Sequence, residues 1–233
     1  MRVAFQSLAD DLVTTDSNLA WDVFVRELAL GQTWIASVDA SGVPGDLASQ
    51  APALSGDGRL IAFESYAALV PGDTNNTGDV FVHDLGPLAP TPYCTSSTTS
   101  NGCNASIGAS GVPSVGAASG FTITVAQMDG QRSGLVFYGT SGAQALPWAA
   151  GSTSFLCVKL PTQRTPAQST GGHVLMCDGS LALDFFAFAA ANPGALGQPF
   201  TPGATIHAQG WVRDPAAPKT TNLSNALAFS LVP

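Results

Sequence analysis

An internal repeat in the first 85 residues constrains the fold of this chain more than any other feature. The sequence VAFQS at 3–7 matches IAFES at 61–65, an offset of 58 residues, and DVFV at 22–25 recurs at 79–82, an offset of 57. Each copy reads as an apolar strand, a polar loop, and a strand rich in β-branched and aromatic residues. The repeat predicts two small β-sheets, at about 1–50 and 51–86.

The rest of the chain also has the composition of a β protein. Its 25 glycines and 16 prolines are spread among short apolar runs, which is typical of many strands joined by turns. Three prolines within 87–92 predict a linker, because proline cannot continue a central strand. With 233 residues, 45% of them hydrophobic, the chain is long enough for two domains.

Beyond the linker, residues 93–233 alternate loops rich in Ser, Thr and Gly with short apolar segments. Seven strands are predicted there, at 121–125, 135–138, 155–158, 173–177, 181–188, 206–212 and 226–231. Seven short strands with turns between them favour an antiparallel β-sandwich or a jelly-roll-like domain. The predicted fold class is therefore all-β, with two repeats followed by a sandwich.

Charge excludes one class of partner. The net charge is −8, and residues 1–90 hold twelve acidic and three basic residues, whereas residues 91–233 hold four acidic and five basic ones. Nucleic-acid binding needs clustered Lys and Arg, so neither DNA nor RNA is an expected partner. No segment has the 18 or so apolar residues of a membrane helix, and no secretion signal follows Met1.

The polar loop of each copy carries the pattern D-x-N-x-x-x-D. In the first copy these residues are Asp16, Asn18 and Asp22, and in the second they are Asp73, Asn75 and Asp79. Calcium prefers six to eight hard oxygen ligands, which alternate side chains and carbonyl groups of a tight loop can supply. The recurrence predicts calcium sites, with the second copy the better one because Gly72 and Gly78 let its loop curl. The alternative is that these residues only form Asx-turns.

The segments at 52–63 (PALSGDGRLIAF) and 79–85 (DVFVHDL) resemble blades of TolB-like β-propellers of the PD40 or WD40-like type. This resemblance implies propeller-type sheets for the first third of the chain. A propeller closes with about four to eight blades, so we expect either the tail of a longer propeller or self-association through open sheet edges. The second part is similar to the terminal β domains of large secreted bacterial proteins, a resemblance that implies no activity.

Four cysteines, Cys94, Cys103, Cys157 and Cys177, all lie in the second part. An even number in a Ser/Thr-rich chain favours disulfides and an extracellular or periplasmic location. Pairing in sequence order, Cys94 with Cys103 and Cys157 with Cys177, is the first expectation among three connectivities, and four reduced thiols are the alternative.

Catalytic signals are sparse. No G-x-S-x-G or H-E-x-x-H motif is present. His83 is a weak candidate base, because it follows the second calcium loop beside Asp84, and a solvated strand end is the favoured explanation for it. Asp178, Asp184 and Asp214 are the second-part acids from which a glycoside-hydrolysing pair would come. Trp148 and Trp211 are candidates for stacking on a sugar or another ligand, with core packing as their commoner use.

These observations predict a secreted, calcium-binding β protein that acts as a binding or interaction module for a small molecule or a carbohydrate. One alternative is a calcium-dependent hydrolase of lactones or esters, by analogy with propeller enzymes of the gluconolactonase and paraoxonase kind, in which the metal polarises a carbonyl. The others are a carbohydrate-binding module and a structural fragment of a larger propeller protein.

Overall fold

The computed structural model describes residues 1–28, 31–75, 77–86 and 88–232, so Pro87 of the predicted linker lies outside the described part. The chain divides into two compact units, Met1–Ala89 and Pro90–Pro233. Both are built from antiparallel strands, which confirms the all-β class. The single helix of the described ranges has seven residues, and none there is long and apolar enough to cross a membrane.

The first unit contains two three-stranded sheets with the orders β1-β2-β3 and β4-β5-β6. Their strands are β1 (Arg2–Ser7), β2 (Asp22–Glu27), β3 (Gln32–Ile35), β4 (Ser49–Leu54), β5 (Leu60–Ser65) and β6 (Asp79–Asp84). A tight turn in which Gly58 N donates to Ser55 O joins β4 to β5. The two repeat copies therefore form β1–β2 and β5–β6.

The strand pairs of the two copies have the same register. Phe5 lies opposite Phe24 and Phe63 opposite Phe81, with stacked rings 5.6 and 6.0 Å apart, respectively. These aromatic cross-strand pairs stabilise each sheet beyond the area that they bury. Repeated sequence thus gives repeated structure down to single side-chain pairs.

The buried side chain of Arg2 contacts several separate segments of the first unit. Its side chain is 4% exposed and forms an ion pair with Glu27 at 3.0 Å. The same guanidinium donates to the carbonyl oxygens of Gly58 and Gly86 and lies over the Trp34 ring. A buried ion pair needs such additional hydrogen bonds to offset the cost of removing both charges from water.

Within residues 90–232, the second unit has eleven strands and one helix. They are β7 (Thr91–Tyr93), β8 (Ser106–Ser110), β9 (Thr122–Met128), β10 (Ser133–Gly139), β11 (Ala143–Pro147), β12 (Phe155–Val158), β13 (Thr162–Arg164), β14 (Gln168–Ser169), β15 (Gly179–Asp184), α1 (Phe185–Ala191), β16 (Thr205–Arg213) and β17 (Thr221–Ser230). The largest sheet has the order β13-β10-β16-β17-β7, with β14 also paired to β10. Sheets β15-β9-β8 and β11-β12 complete the unit.

The main core of this unit combines residues from β8, β9 and β15 with residues from β10, β16 and β17, and α1 closes it. Gly210 on β16 permits a close approach, because a Cβ atom there would lie 2.9 Å from both methyl groups of Val125 on β9. Tyr138 and Phe185 are fully buried and pack edge to face in this core.

The opposite face of the large sheet carries a second, smaller cluster. Leu135, Phe137 and Leu223 lie there under the β11–β12 hairpin, which contributes Val158. Gln209, fully buried on β16, fixes the hairpin because its side chain bonds backbone groups of Phe155 and Cys157. The large sheet therefore has apolar side chains on both faces.

Two strand predictions were wrong. Residues 173–177 form an exposed turn, in which His173 N donates to Asp178 Oδ1 and Leu175 has a φ of 64°. The predicted strand at 181–188 ends at Asp184, whose carboxylate accepts from Ala187 N and so caps α1. In both places, local hydrogen bonds from backbone N–H groups to Asp side chains determined the structure more strongly than apolar content did.

The predicted cysteine pairing was also wrong. Disulfides join Cys94 to Cys157 and Cys103 to Cys177, with sequence separations of 63 and 74 residues. Sequence proximity favours short loops, but folding brings distant segments together, and long closed loops restrict the unfolded chain more strongly. The two disulfides are interleaved along the sequence: the first cysteine pairs with the third and the second with the fourth.

Candidate functional site

The loop between β1 and β2 carries the first D-x-N-x-x-x-D copy, and its ends are buried. Asp22 is fully buried and Asp16 is 7% exposed. Asn18 lies between them in sequence and forms an Asx-turn, in which its Oδ1 accepts from Ala20 N. Its amide nitrogen donates to Asp22 Oδ2 at 2.8 Å and to Gly45 O at 2.6 Å. The loop is thereby held against the segment that leads to the second sheet.

Asp22 lies in an environment that disfavours its charge. Burial raises the pKa of its carboxyl group, hydrogen bonds from Ser37 and Asn18 oppose this shift, and the negative charge of Asp16 adds to it. Ser37 Oγ donates to Asp22 Oδ1 at 2.6 Å and accepts from Val23 N. Both oxygens of Asp22 therefore have a partner, yet its negative charge has no compensating cation among the described residues.

Asp16 provides the most unusual atom of the loop. Its Oδ1 is buried and has no hydrogen-bond partner among the described residues. A buried carboxylate oxygen without a partner costs about 1–3 kcal/mol or more, because it has lost its bonds to water. Together, Asp16 and Asp22 form a buried pair of carboxylates that a cation would compensate.

The second copy has the same local geometry but a different environment. Asn75 forms the equivalent Asx-turn with Thr77 N, and its amide donates to Asp79 Oδ2 at 2.9 Å. However, Asn75 is exposed, and Asp73 and Asp79 are only partly buried. The expectation that the second copy is the better site rested on its glycines, whereas burial and the unpartnered oxygen favour the first.

The donor set is small for a metal. Within the described ranges, no group of three or more His, Cys, Asp or Glu side chains is arranged to hold an ion. The first loop supplies two carboxylates, with the Gly45 carbonyl nearby, so an ion there would complete its shell with water. Such a site fits a hard, weakly held cation such as calcium better than a transition metal.

The three histidines have structural partners. His83 Nδ1 lies 3.0 Å from Ala36 O, and it lines a different cavity from that lined by Asp73, Asn75 and Asp79. His207 Nδ1 lies 3.0 Å from Tyr93 Oη, and burial lowers its pKa. His173 pairs with Asp178 on the exposed turn.

The remaining acids of the second unit also have defined contacts. Asp184 caps α1 and accepts from Gly120 N, while Asp214 accepts from the backbone and the hydroxyl of Ser100. Asp129, which the sequence did not single out, is 2% exposed; its Oδ1 accepts from Asn101, and its Oδ2 has no partner among the described residues.

The structure brings the two predicted stacking residues together. Trp148 and Trp211 line one cavity of about 360 Å³ between the β11–β12 hairpin and the outer face of the large sheet. We call this cavity the tryptophan groove; its lining residues are Leu135, Phe137, Trp148, Leu156, Leu160, Thr162, Arg164, Trp211, Lys219 and Thr221.

A cation lies over each ring in the tryptophan groove. Lys219 Nζ is 3.7 Å from the ring centroid of Trp148, and the guanidinium carbon of Arg164 is 5.6 Å from that of Trp211. These two basic residues were missed at the sequence level, since they lie 71 and 47 residues from the tryptophans that they contact. No local pattern signals such long-range pairs.

Comparison with known protein families, with curated proteins and with solved structures finds no match for this chain.

Proposed function

We propose that this protein is an extracellular or periplasmic β protein that binds calcium and acts as a binding module. The observation that carries the proposal is the unpartnered, buried Oδ1 of Asp16 beside the buried carboxyl group of Asp22. Calcium between the two carboxylates would satisfy that oxygen and neutralise both charges. Asn18 and Ser37 would then orient Asp22 rather than compensate its charge.

The small donor set also sets the expected affinity. Calcium sites with few charged ligands bind in the range of about 0.1–1 mM, which is typical of extracellular modules. Two disulfides support the same compartment, since such bonds persist where the environment is oxidising. The proposed role of the ion is therefore structural: it would hold the β1–β2 loop against the segment around Gly45.

The resemblance to propeller blades and to terminal sandwich domains belongs to the same proposal. Support comes from the three-stranded antiparallel sheets of the repeat and from the two sheets that share the main core of the second unit. On this proposal the first unit presents propeller-type sheets, and the second presents a β-sandwich with a ligand-facing surface.

A calcium titration of the thermal melt tests the metal site. Protein stripped with a chelator should unfold at a higher temperature as calcium is added, with about 1.4 kcal/mol of stabilisation at ten times Kd. Asp16→Asn should remove the response, whereas Asp73→Asn, the same position of the second repeat, should retain it. Magnesium at equal concentration controls for ionic strength.

Two results would contradict the proposal. One is a melting temperature that stays constant up to about 10 mM calcium, far above the expected Kd. The other is a calcium response that survives Asp16→Asn and disappears in Asp73→Asn, which would place the ion in the second loop.

A further inference from the structure

We propose that the second unit binds small aromatic carboxylates in the tryptophan groove. This inference goes beyond the proposed calcium site, because it assigns a ligand class to a cavity that lies wholly within residues 90–233. Four observations support it. They are the size and lining of the groove, the positive charge of its basic residues, the absence of the second unit's four acids from its lining, and the hydrogen bonds that hold Trp148 in place.

The lining of the groove suits a flat apolar body. Leu135 and Phe137 form its floor on β10, and Trp148 and Trp211 form its sides. A volume of about 360 Å³ lies at the lower end of the range for ligand sites, so a compact ligand of one or two rings fits better than a large one. Aromatic rings on such walls gain from offset or edge-to-face contacts.

The charges of the groove have a single sign. Arg164 and Lys219 are the charged lining residues, both are exposed, and neither forms an ion pair within the described ranges. Each lies over a tryptophan ring at the edge of the cavity, and Lys219 Nζ also donates to Trp148 O, which leaves two of its three N–H donors for an anion. A carboxylate group bound beside the tryptophan rings could form ion pairs with both Arg164 and Lys219.

The acids of the second unit do not compensate these cations. Asp178 pairs with His173, Asp184 caps α1, Asp214 binds Ser100, and Asp129 accepts from Asn101. None of these four acids lines the groove. The local potential is therefore positive in a chain whose net charge is −8, which attracts an anionic ligand to this place specifically.

One wall of the groove is fixed before any ligand arrives. Trp148 Nε1 donates to Thr221 Oγ1 at 2.9 Å, and Trp148 N donates to Ser154 O at 2.7 Å. Lys219 Nζ lies 3.3 Å from Trp148 O, so the cation and the ring are held together. A preorganised wall lowers the entropy that binding must overcome.

Matched ligands test the proposal by changing only the charge. Binding of 2-naphthoate, 2-naphthalenemethanol and 2-naphthylmethylamine to the full chain is measured by calorimetry with chelator present, so that failure of the calcium site does not affect the result. We expect 2-naphthoate to bind at least about tenfold more tightly than the alcohol, a difference of one well-placed charge pair, and the amine not to bind.

Variants locate the site. Lys219→Gln and Arg164→Gln should each weaken 2-naphthoate binding about fivefold or more, and Trp211→Leu should weaken binding of both the acid and the alcohol. Lys159→Gln, an exposed cation outside the groove, is the control and should bind as the wild type does. Because Arg164 and Lys219 are exposed, both variants are expected to fold, which their melting curves verify.

The proposal is overturned by equal affinity for the acid and the alcohol, by unchanged binding in Lys219→Gln and Arg164→Gln, or by no saturable binding at low millimolar concentration. A trimer of galacturonate serves as a further arm, since it carries carboxylates on sugar rings. Binding of that trimer without binding of 2-naphthoate would also overturn the proposal and indicate an acidic carbohydrate instead.

Discussion

Val23 and Val80 occupy the same position of the internal repeat, yet Val23 is fully buried and Val80 is 77% exposed. Val25 and Val82 differ in the same way, at 0% and 66%. Val23 packs in a cluster with Ile61 and Phe63, so the second sheet covers this face of the first. Within the described residues of the first unit, nothing buries Val80 or Val82, which leaves apolar surface available for self-association or another partner.

This pair allows one mutation to be compared in two environments. Val23→Ala should lower the free energy of unfolding by about 2 kcal/mol, because it removes two buried methyl groups and leaves a cavity. Val80→Ala should change it by less than about 0.5 kcal/mol, since an exposed side chain loses no packing. Urea denaturation of both variants measures the difference. Equal losses would show that Val80 is buried in solution, by a second copy of the chain.

The sequence predicted the repeat well because strand–loop–strand patterns are local. The strands at 3–7 and 61–65 and five of the eleven described strands of the second unit follow from alternation and turn residues. The difference in burial between Val23 and Val80 could not be predicted, because the two DVFV segments are identical in sequence. Burial is decided by packing between sheets, which one repeat copy does not encode alone.

The raised pKa of Asp22 predicts a pH dependence of stability in the calcium-free protein. A carboxyl group whose pKa is raised by folding stabilises the native state most below its ordinary pKa of about 3.9, and this contribution is lost as pH rises through the raised value. The wild type should therefore lose stability relative to Asp22→Asn as pH increases over that window. Thermal melts in chelator at a series of pH values measure this difference.

Two controls show whether the pH dependence of the thermal melts arises from Asp22: added calcium and a variant of the second repeat. Asp79→Asn, at the equivalent but only partly buried position of the second repeat, is the matched variant for comparison. Added calcium should restore the stability lost at the higher pH, because a metal ion replaces the proton in compensating the carboxylates. If the pH effect is present and calcium adds nothing, protonation of Asp22 alone accounts for the effect and no cation binds in the loop.

The disulfide connectivity predicts specific cross-linked fragments. Hydroxylamine cleaves the Asn101–Gly102 bond, and trypsin then separates 60–101, 102–132, 133–159 and 165–213, each with one cysteine. Without reductant, mass spectrometry should find 60–101 linked to 133–159 and 102–132 linked to 165–213. Replacing both Cys103 and Cys177 by Ser should destabilise the second unit by about 2–5 kcal/mol. A link between 60–101 and 102–132 would instead show pairing in sequence order.

Each candidate site combines residues that are close in sequence with residues from distant segments, and only the former could be predicted. Asp16, Asn18 and Asp22 were found because their spacing is local and repeated, whereas Ser37 and Gly45, which fix the loop, come from separate segments. In the second unit, aromatic type alone singled out two tryptophans among many apolar residues. Their shared cavity depends on how the β11–β12 hairpin lies on the sheet, and that placement rests on long-range hydrogen bonds.

Gln209 is the residue that holds this hairpin in place, and its replacement by Leu should be costly. Its side-chain amide donates to Phe155 O at 2.9 Å and to Ser224 O at 2.7 Å, while its Oε1 accepts from Cys157 N at 3.0 Å. Gln209→Leu keeps the size but removes the hydrogen bonds to three backbone groups, two of them buried and that of Phe155 partly buried. We expect a loss of about 2–4 kcal/mol in the free energy of unfolding.

Hydrogen exchange measured by mass spectrometry distinguishes a local role from a general loss of stability. In Gln209→Leu, peptides that cover 143–158 should exchange faster than those from β9 in the main core, because the hairpin loses its attachment to β16. Gln144→Leu is the control within the same hairpin: among the described residues the Gln144 side chain makes one hydrogen bond, to Val158 O, and its loss should cost less than about 1 kcal/mol. Uniformly faster exchange across both sheets would mean that Gln209 stabilises the whole unit and does not specifically position the wall of the tryptophan groove.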